Sequence, residues 1–242
     1  MNAEDMTGKL TFWIKSKIRA AQAKGVVIGL SGGIDSSVLA ALCKRASPEA
    51  LLGLIMPCHS NPEDEMYARM VVDKFNIPVK KVVLDGVFDA YLGTVEEQNV
   101  TASVDNLCVA NLKPRLRMAT LYFFANKLNY IVAGSGDRSE ITVGYFTKYG
   151  DGAADIFPLG NLLKTEVKEL GAYLGVPKVI VEKPSSAGLW PGQVSEGELG
   201  ITYGEIDQYI KTGEAAPEVK KRIEQLIAAS EHKRHLPPVP DF

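Results

Sequence analysis

Apolar residues along this chain alternate between helical spacings and short continuous runs. Leu10, Ile14, Ile18 and Ala21 recur at helical intervals, and Gly25 stops that pattern just before the β-branched run VVIGL, which reads as a buried strand. Beyond SGGIDSS (31–37), VLAALCKRA reads as a helix and ALLGLIMP as a second strand. Asn61 and Pro62 supply a cap and a first-turn proline for a helix reaching about Phe75, and VKKVVL follows as a strand. Leu107, Leu112, Leu116, Met118, Leu121 and Phe124 predict a long helix over roughly Asp105 to Leu128, interrupted or begun near Pro114. YIVAG (130–134) is the next strand, and a glycine-rich stretch (144–155) leads to the helix LKTEVKELGAYLG, ended at Val176-Pro177.

Alternating β and α units imply an α/β fold: a doubly wound parallel sheet with helices on both faces. Past Val181, EKPSSAGLWPGQVSEGELG is rich in proline, glycine and serine and predicts a mobile loop, either a lid or a disordered segment. Two short helices and the tail HLPPVPDF close the chain. No repeat is visible, and the whole of 1–242 reads as a single domain.

Composition narrows the function classes. With 27 basic against 29 acidic residues, net charge −2, the chain carries no broad basic field for nucleic acid. The N-terminus lacks the basic-then-apolar order of a secretory signal, and no apolar run reaches membrane-spanning length. Cys43, Cys58 and Cys108 are odd in number and widely spaced, which suggests neither a disulfide framework nor a cysteine zinc site. The expectation is a cytoplasmic protein that binds neither nucleic acid nor membrane. Cys58-His59 offers metal-ligand types without a partner pair and reads as an ordinary strand end.

SGGIDSS lies between a strand and a helix. Gly32 and Gly33 permit close backbone approach, Ser31, Ser36 and Ser37 offer hydroxyls, and the helix N-terminus offers unsatisfied N–H groups, so the turn suits an anion. A tight connection is the alternative for a bare Gly-Gly. No lysine follows the glycines as in GxxxxGK[ST], and GxGxxG fails in register. Asp35 would repel an anion unless a divalent cation intervened, which is how magnesium bridges carboxylates and nucleotide phosphates.

SGGIDSS resembles the SGGxDS pyrophosphate loop of enzymes that split ATP into AMP and pyrophosphate. NLKPRLRM (111–118), GSGDRSE (134–140), GYFTKYGDGAADIFPL (144–159), LLKTEV (162–167) and HKR (232–234) narrow the resemblance to the ammonia-dependent NAD synthetases over essentially the whole chain. The resemblance implies a Rossmann-like fold of the adenine nucleotide alpha hydrolase type, and a ligase that amidates deamido-NAD with ammonia through an adenylated intermediate, with ATP as co-substrate. It implies ATP contacts from Gly29, Leu30, Ser31, Gly32, Gly33, Ile34, Asp35, Ser36, Ser135, Lys164 and Ser186, and Mg2+ on Asp35 and Glu140. Asp35, Glu140 and Lys164 would be the catalytic set. Arg115, Lys148, Asp155, His232 and Lys233 would contact deamido-NAD, although read alone Arg115 and Arg117 form an exposed helix face and residues 232–234 a solvated basic tail.

The resemblance also implies a homodimer whose interface shapes the dinucleotide pocket, with the apolar helix around Leu107 to Phe124 as its candidate surface. No glutaminase module is expected. Departures from the family pattern are Gly188 for aspartate, Ser135 for threonine, Pro114 for alanine and the loosened Ser185-Ser186-Ala187; none removes a metal carboxylate. The rival readings are another adenylating enzyme of the pyrophosphate-loop type and a non-catalytic nucleotide-binding module.

Overall fold

The computed structural model describes residues 2–95 and 107–241. Four strands, β1 (Gly25–Gly29), β2 (Leu51–Ile55), β3 (Val79–Lys81) and β4 (Tyr130–Ala133), form an all-parallel sheet in the order β3-β2-β1-β4. The helices in chain order are α1 (Ala3–Ala20), α2 (Ile34–Ala46), α3 (Pro62–Phe75), α4 (Asp85–Val95), α5 (Leu107–Ala110), α6 (Leu112–Leu128), α7 (Arg138–Val143), α8 (Lys164–Leu174), α9 (Lys178–Glu182), α10 (Ser195–Leu199), α11 (Tyr203–Thr212) and α12 (Pro217–Ala229). Because the chain winds outward from β1 through β2 and β3 and then returns to β4 on the other side, the topological switch point lies between β1 and β4. Ligands bind at such a crevice, beyond the carboxyl ends of the strands.

Alternation along the strands sends successive residues to opposite faces. Val26, Ile28, Leu51, Ile55, Ile131 and Ala133 join one core with residues of α1, α2, α3 and α8. Val27, Leu52, Leu54 and Val132 join another with Phe88 of α4 and Ala125 of α6. Strands buried on both faces read as continuous apolar runs, which is why VVIGL and ALLGLIMP carry no polar alternation. A third, smaller core unites Val143 of α7, Leu199 of α10, Tyr203 and Ile206 of α11 and Ile223 of α12.

The fold thus matches the expected class, with corrections at the element level. Helix α2 starts at Ile34 rather than Val38, so Asp35 and Ser36 belong to its first turn, where a negative charge meets the positive end of the dipole. The helix expected from about Asp105 breaks at Asn111 instead of at Pro114, which sits inside the first turn of α6 and so needs no amide there; residues 105 and 106 lie outside the described residues. Strand β3 ends at Lys81. The loop expected over 182–200 contains α10 and buries Leu189, Gln193, Ser195 and Leu199. As expected, Asn61 caps α3, accepting a hydrogen bond from the Glu63 amide, with Pro62 in the first turn. Among the described residues no helix is long and apolar enough to cross a membrane.

Candidate active site

A cavity of about 850 Å³ opens at the carboxyl ends of β1, β2 and β4. That size lies within the range of ordinary small-molecule sites. Its wall includes Gly29, Leu30, Ser31, Gly33, Ile34, Asp35 and Ser36 of the turn, with Ser135, Glu140 and Ser186. Gly32 does not line it; this residue has φ +79°, and a Cβ there would lie 2.3 Å from the Asp64 carbonyl oxygen of α3. The glycine is therefore required for close packing of the turn against α3 as well as for its conformation.

The serines act mainly on the turn itself. Ser36 Oγ and Ser37 Oγ donate to the Gly33 carbonyl at 3.0 and 2.7 Å, and Ser31 and Ser36 hydroxyls lie 3.0 Å apart. Ser37 is buried, so its hydroxyl is a brace rather than the anion contact its position in the sequence suggests. What remains for an anion is the first-turn backbone of α2, whose amides have no intrahelical acceptor.

Behind the turn lies a buried ionic cluster. Lys164, at the first position of α8 and 0% exposed, places Nζ 2.8 Å from Asp35 Oδ2, 2.8 Å from Asp137 Oδ2 and 2.9 Å from Glu140 Oε1. Its ammonium also sits 4.8 Å from the centre of the Tyr203 ring, and the Tyr203 hydroxyl donates to Glu140 at 3.4 Å. A lysine at a helix N-terminus opposes the dipole, and three carboxylates reverse that penalty. Burial disfavours the Lys164 charge, but Asp35, Glu140 and Asp137 outweigh it and hold its pKa well above the ordinary value. Burial raises the pKa values of both Glu140 and Asp137, against the pull of Lys164.

Asp137 was not singled out from the sequence. It caps α7, accepting from the Glu140 amide at 2.8 Å, while the Glu140 carboxylate reaches back toward the Asp137 amide. Ligand atoms of Asp35, Asp137 and Glu140 all lie within 4.8 Å of one another, and Asp35 Oδ1 is buried without a hydrogen-bond partner. Three clustered carboxylates with an orphaned oxygen fit a hard divalent cation such as Mg2+, which takes oxygen ligands.

The residues expected to contact the second substrate are distributed differently. Lys233 lines the cavity and donates to the Gly144 and Phe146 carbonyls, both at 2.9 Å. Arg115, Lys148 and His232 form a chain of their own: Arg115 Nε donates to the Lys148 carbonyl at 3.4 Å and Lys148 Nζ to the His232 carbonyl at 2.6 Å. None of those three lines the cavity, nor does Asp155, whose carboxylate accepts from the Val132 amide and the Tyr122 hydroxyl. Arg117, read alone as part of an exposed helix face, instead lines the cavity and donates to the Met56 carbonyl at 3.1 Å and to Ser60 Oγ at 3.0 Å. Lys113 is likewise buried, donating to the Leu189 carbonyl at 2.7 Å and so fastening the 182–200 segment to α6.

Comparison with known proteins gives this arrangement its relatives. The family described as NAD synthase matches residues 6–237. The NH(3)-dependent NAD(+) synthetase of Carboxydothermus hydrogenoformans is 49% identical over 99% of this chain and 98% of its own length, and that of Methanocaldococcus jannaschii 46% identical over 99% and 97%. Among solved structures, an NMN synthetase from Francisella tularensis superposes with a TM-score of 0.94 at 38% identity, covering both chains fully, and an NH3-dependent NAD synthetase from Campylobacter jejuni with 0.84 at 28%, also covering both fully. Matched along nearly its entire length by the family's profile and by these relatives, the chain belongs to the NAD synthase family, and is a ligase of that family.

Proposed function

We propose that the protein amidates the nicotinate carboxylate of deamido-NAD with free ammonia at the expense of ATP, giving NAD, AMP and pyrophosphate. The observation that carries this reading is the juxtaposition of the glycine turn at the start of α2 with Asp35 and Glu140, which line the same cavity and pair with Lys164; Lys164 itself, expected to contact ATP, is buried behind them and does not line the cavity. The turn's backbone amides face the ATP phosphates, and Asp35, Glu140 and Asp137 would hold Mg2+, which supplies charge neutralisation for the phosphates. A carboxylate oxygen of the nicotinate attacks the α-phosphorus, and the bond to pyrophosphate breaks. Ammonia then attacks the acyl carbon, the C–O bond to AMP breaks, and one ammonia proton is released. No side-chain nucleophile is needed, because positioning and electrostatic stabilisation account for most phosphoryl-transfer catalysis. Lys164 keeps the three carboxylates together and balances their charge.

Lys233 and Arg117 bring cationic groups to the cavity for the second substrate. Arg115, Lys148, Asp155 and His232 would complete its site at the interface of a homodimer. Support for a dimer comes from apolar side chains exposed on neighbouring helices: Val87, Tyr91 and Val95 of α4, Leu107 of α5 and Phe123 of α6. The compartment this reading assigns to the reaction is the cytoplasm. A monomer in sedimentation at working concentration would contradict the dimer.

The high structural similarity to an NMN synthetase supports a second reading, in which the acid amidated is the nicotinate mononucleotide. Purified protein with ATP, Mg2+ and ammonium, offered each acid separately, tests both while AMP and the amide are followed together by chromatography. Equal NAD and AMP from deamido-NAD supports the first reading, and preference for the mononucleotide supports the second. ATP binding with neither product refutes both. Replacing ammonium by glutamine tests the nitrogen donor.

A further inference from the structure

Helix α8 begins at Lys164, yet the residue in its cap position, Leu163, has no side-chain oxygen to accept from the first-turn amides. Those amides are satisfied from elsewhere in the chain. The Lys164 amide donates to Ser139 Oγ of α7 at 3.0 Å, and the Thr165 amide to Asp207 Oδ2 of α11 at 2.9 Å. Ser139 Oγ in turn donates to Asp207 Oδ1. Ser139 and Asp207 are both buried, and among the described residues Asp207 has no basic side chain at ion-pair distance. Its charge is held by hydrogen bonds and by the positive end of the α8 dipole.

One carboxylate on α11 therefore ties together two of the elements that carry the ionic cluster: α7, which presents Glu140, and α8, which presents Lys164. Tyr203, one helical turn before Asp207 on α11, reaches the same pair from the side, through its ring to Lys164 and its hydroxyl to Glu140. We infer that Asp207 is a positioning residue for the reaction, acting through Ser139 and the first turn of α8 to fix Lys164 against Glu140. The catalytic consequence rests on the proposed function; the positioning itself does not.

The tests are Asp207→Asn, Ser139→Ala and their combination in the full chain. Asparagine keeps the volume and can accept from the Thr165 amide, but it then turns an NH2 toward Ser139 Oγ, whose proton loses its acceptor. With the opposite amide orientation the Thr165 amide is orphaned. Hydrogen exchange of D207N is expected to show faster exchange together in 138–143 and 164–167, with α11 keeping its protection. In turnover, kcat falls about 10–100-fold while the KM for ATP stays within about threefold, as for other residues that orient a site from behind. Ser139→Ala gives the same pattern, and the double variant is no worse than D207N alone.

Unchanged exchange at both segments in D207N or S139A overturns the inference. So do kcat losses that multiply in the double variant, or that track the unfolded fraction seen by circular dichroism. Should D207N fail to fold, S139A, which removes a single oxygen, carries both measurements. Absence of turnover in the wild type would refute the proposed function, and the exchange result would still decide whether Asp207 positions the cluster.

Discussion

Replacing Lys164 by methionine keeps the shape of the side chain and removes the ammonium from three carboxylates at 2.8, 2.8 and 2.9 Å. Removing one partner of a buried ion pair typically costs about 3–5 kcal/mol, because the remaining charge is left uncompensated. Here the carboxylates have a partial escape: burial already raises the pKa values of Glu140 and Asp137, so K164M takes up protons instead of holding three bare charges. The loss therefore falls near the lower end, about 3 kcal/mol, which for a chain of this size lowers the Tm by about 6–12 °C.

The pH dependence separates this mechanism from simple loss of packing. Carboxylates protonated in folded K164M but ionised when unfolded destabilise it by about 1.4 kcal/mol per proton for each pH unit above their unfolded pKa. The deficit relative to wild type is expected to be large at pH 7.5 and to shrink at pH 5.5. Added Mg2+ raises the Tm of the variant more than that of the wild type. Scanning calorimetry at the two pH values, with and without Mg2+, measures all of this. A shift below about 2 °C at pH 7.5, or a deficit of equal size at both pH values, refutes the argument.

Three further outcomes are expected. Gly32→Ala loses about 2 kcal/mol or more in urea unfolding and binds ATP poorly, because its φ is +79° and its Cβ meets backbone at 2.3 Å; Gly33→Ala, with only Ser31 Oγ at 3.4 Å, is expected to be much milder. Burial pushes the Cys43 thiol up to about 12, so a thiol reagent at pH 8 labels it only on unfolding, and stability is lost as pH rises above the unfolded thiol value near 9; mass spectrometry of labelled peptides checks this. Asp35→Asn folds but abolishes Mg2+-dependent AMP release, and unchanged AMP formation would contradict its metal role.

Strands and long helices were legible because their cores impose clear periods. VVIGL and ALLGLIMP are apolar on both faces since helices cover both sides of the sheet, and the Asn61-Pro62 start of α3 follows from local cap chemistry. Helix α4 was missed because Val87, Tyr91 and Val95 point outward and blur its amphipathic pattern. Helices α7, α9 and α10 span only five or six residues each, too few to establish a helical period. Within the site, Asp35, Glu140 and Lys164 follow from family resemblance, and geometry brings the three together. Asp137 was hidden by its local role, since a cap and a metal ligand look alike in sequence.

Burial, more than residue type, separates what could be read from what could not. Arg115 and Arg117 are two residues apart on one helix, and only the second lines the cavity. Lys164 illustrates the same limit at longer range: its position depends on Asp35 in the first turn of α2, Glu140 on α7 and Asp207 on α11. Leu163 is a poor cap by local rules, and the missing acceptor is supplied 42 residues beyond Thr165 by a buried carboxylate. Local inconsistency of that kind, tolerated where a charged side chain must be held, marks the point at which the third core becomes part of the site instead of an appendage to the sheet.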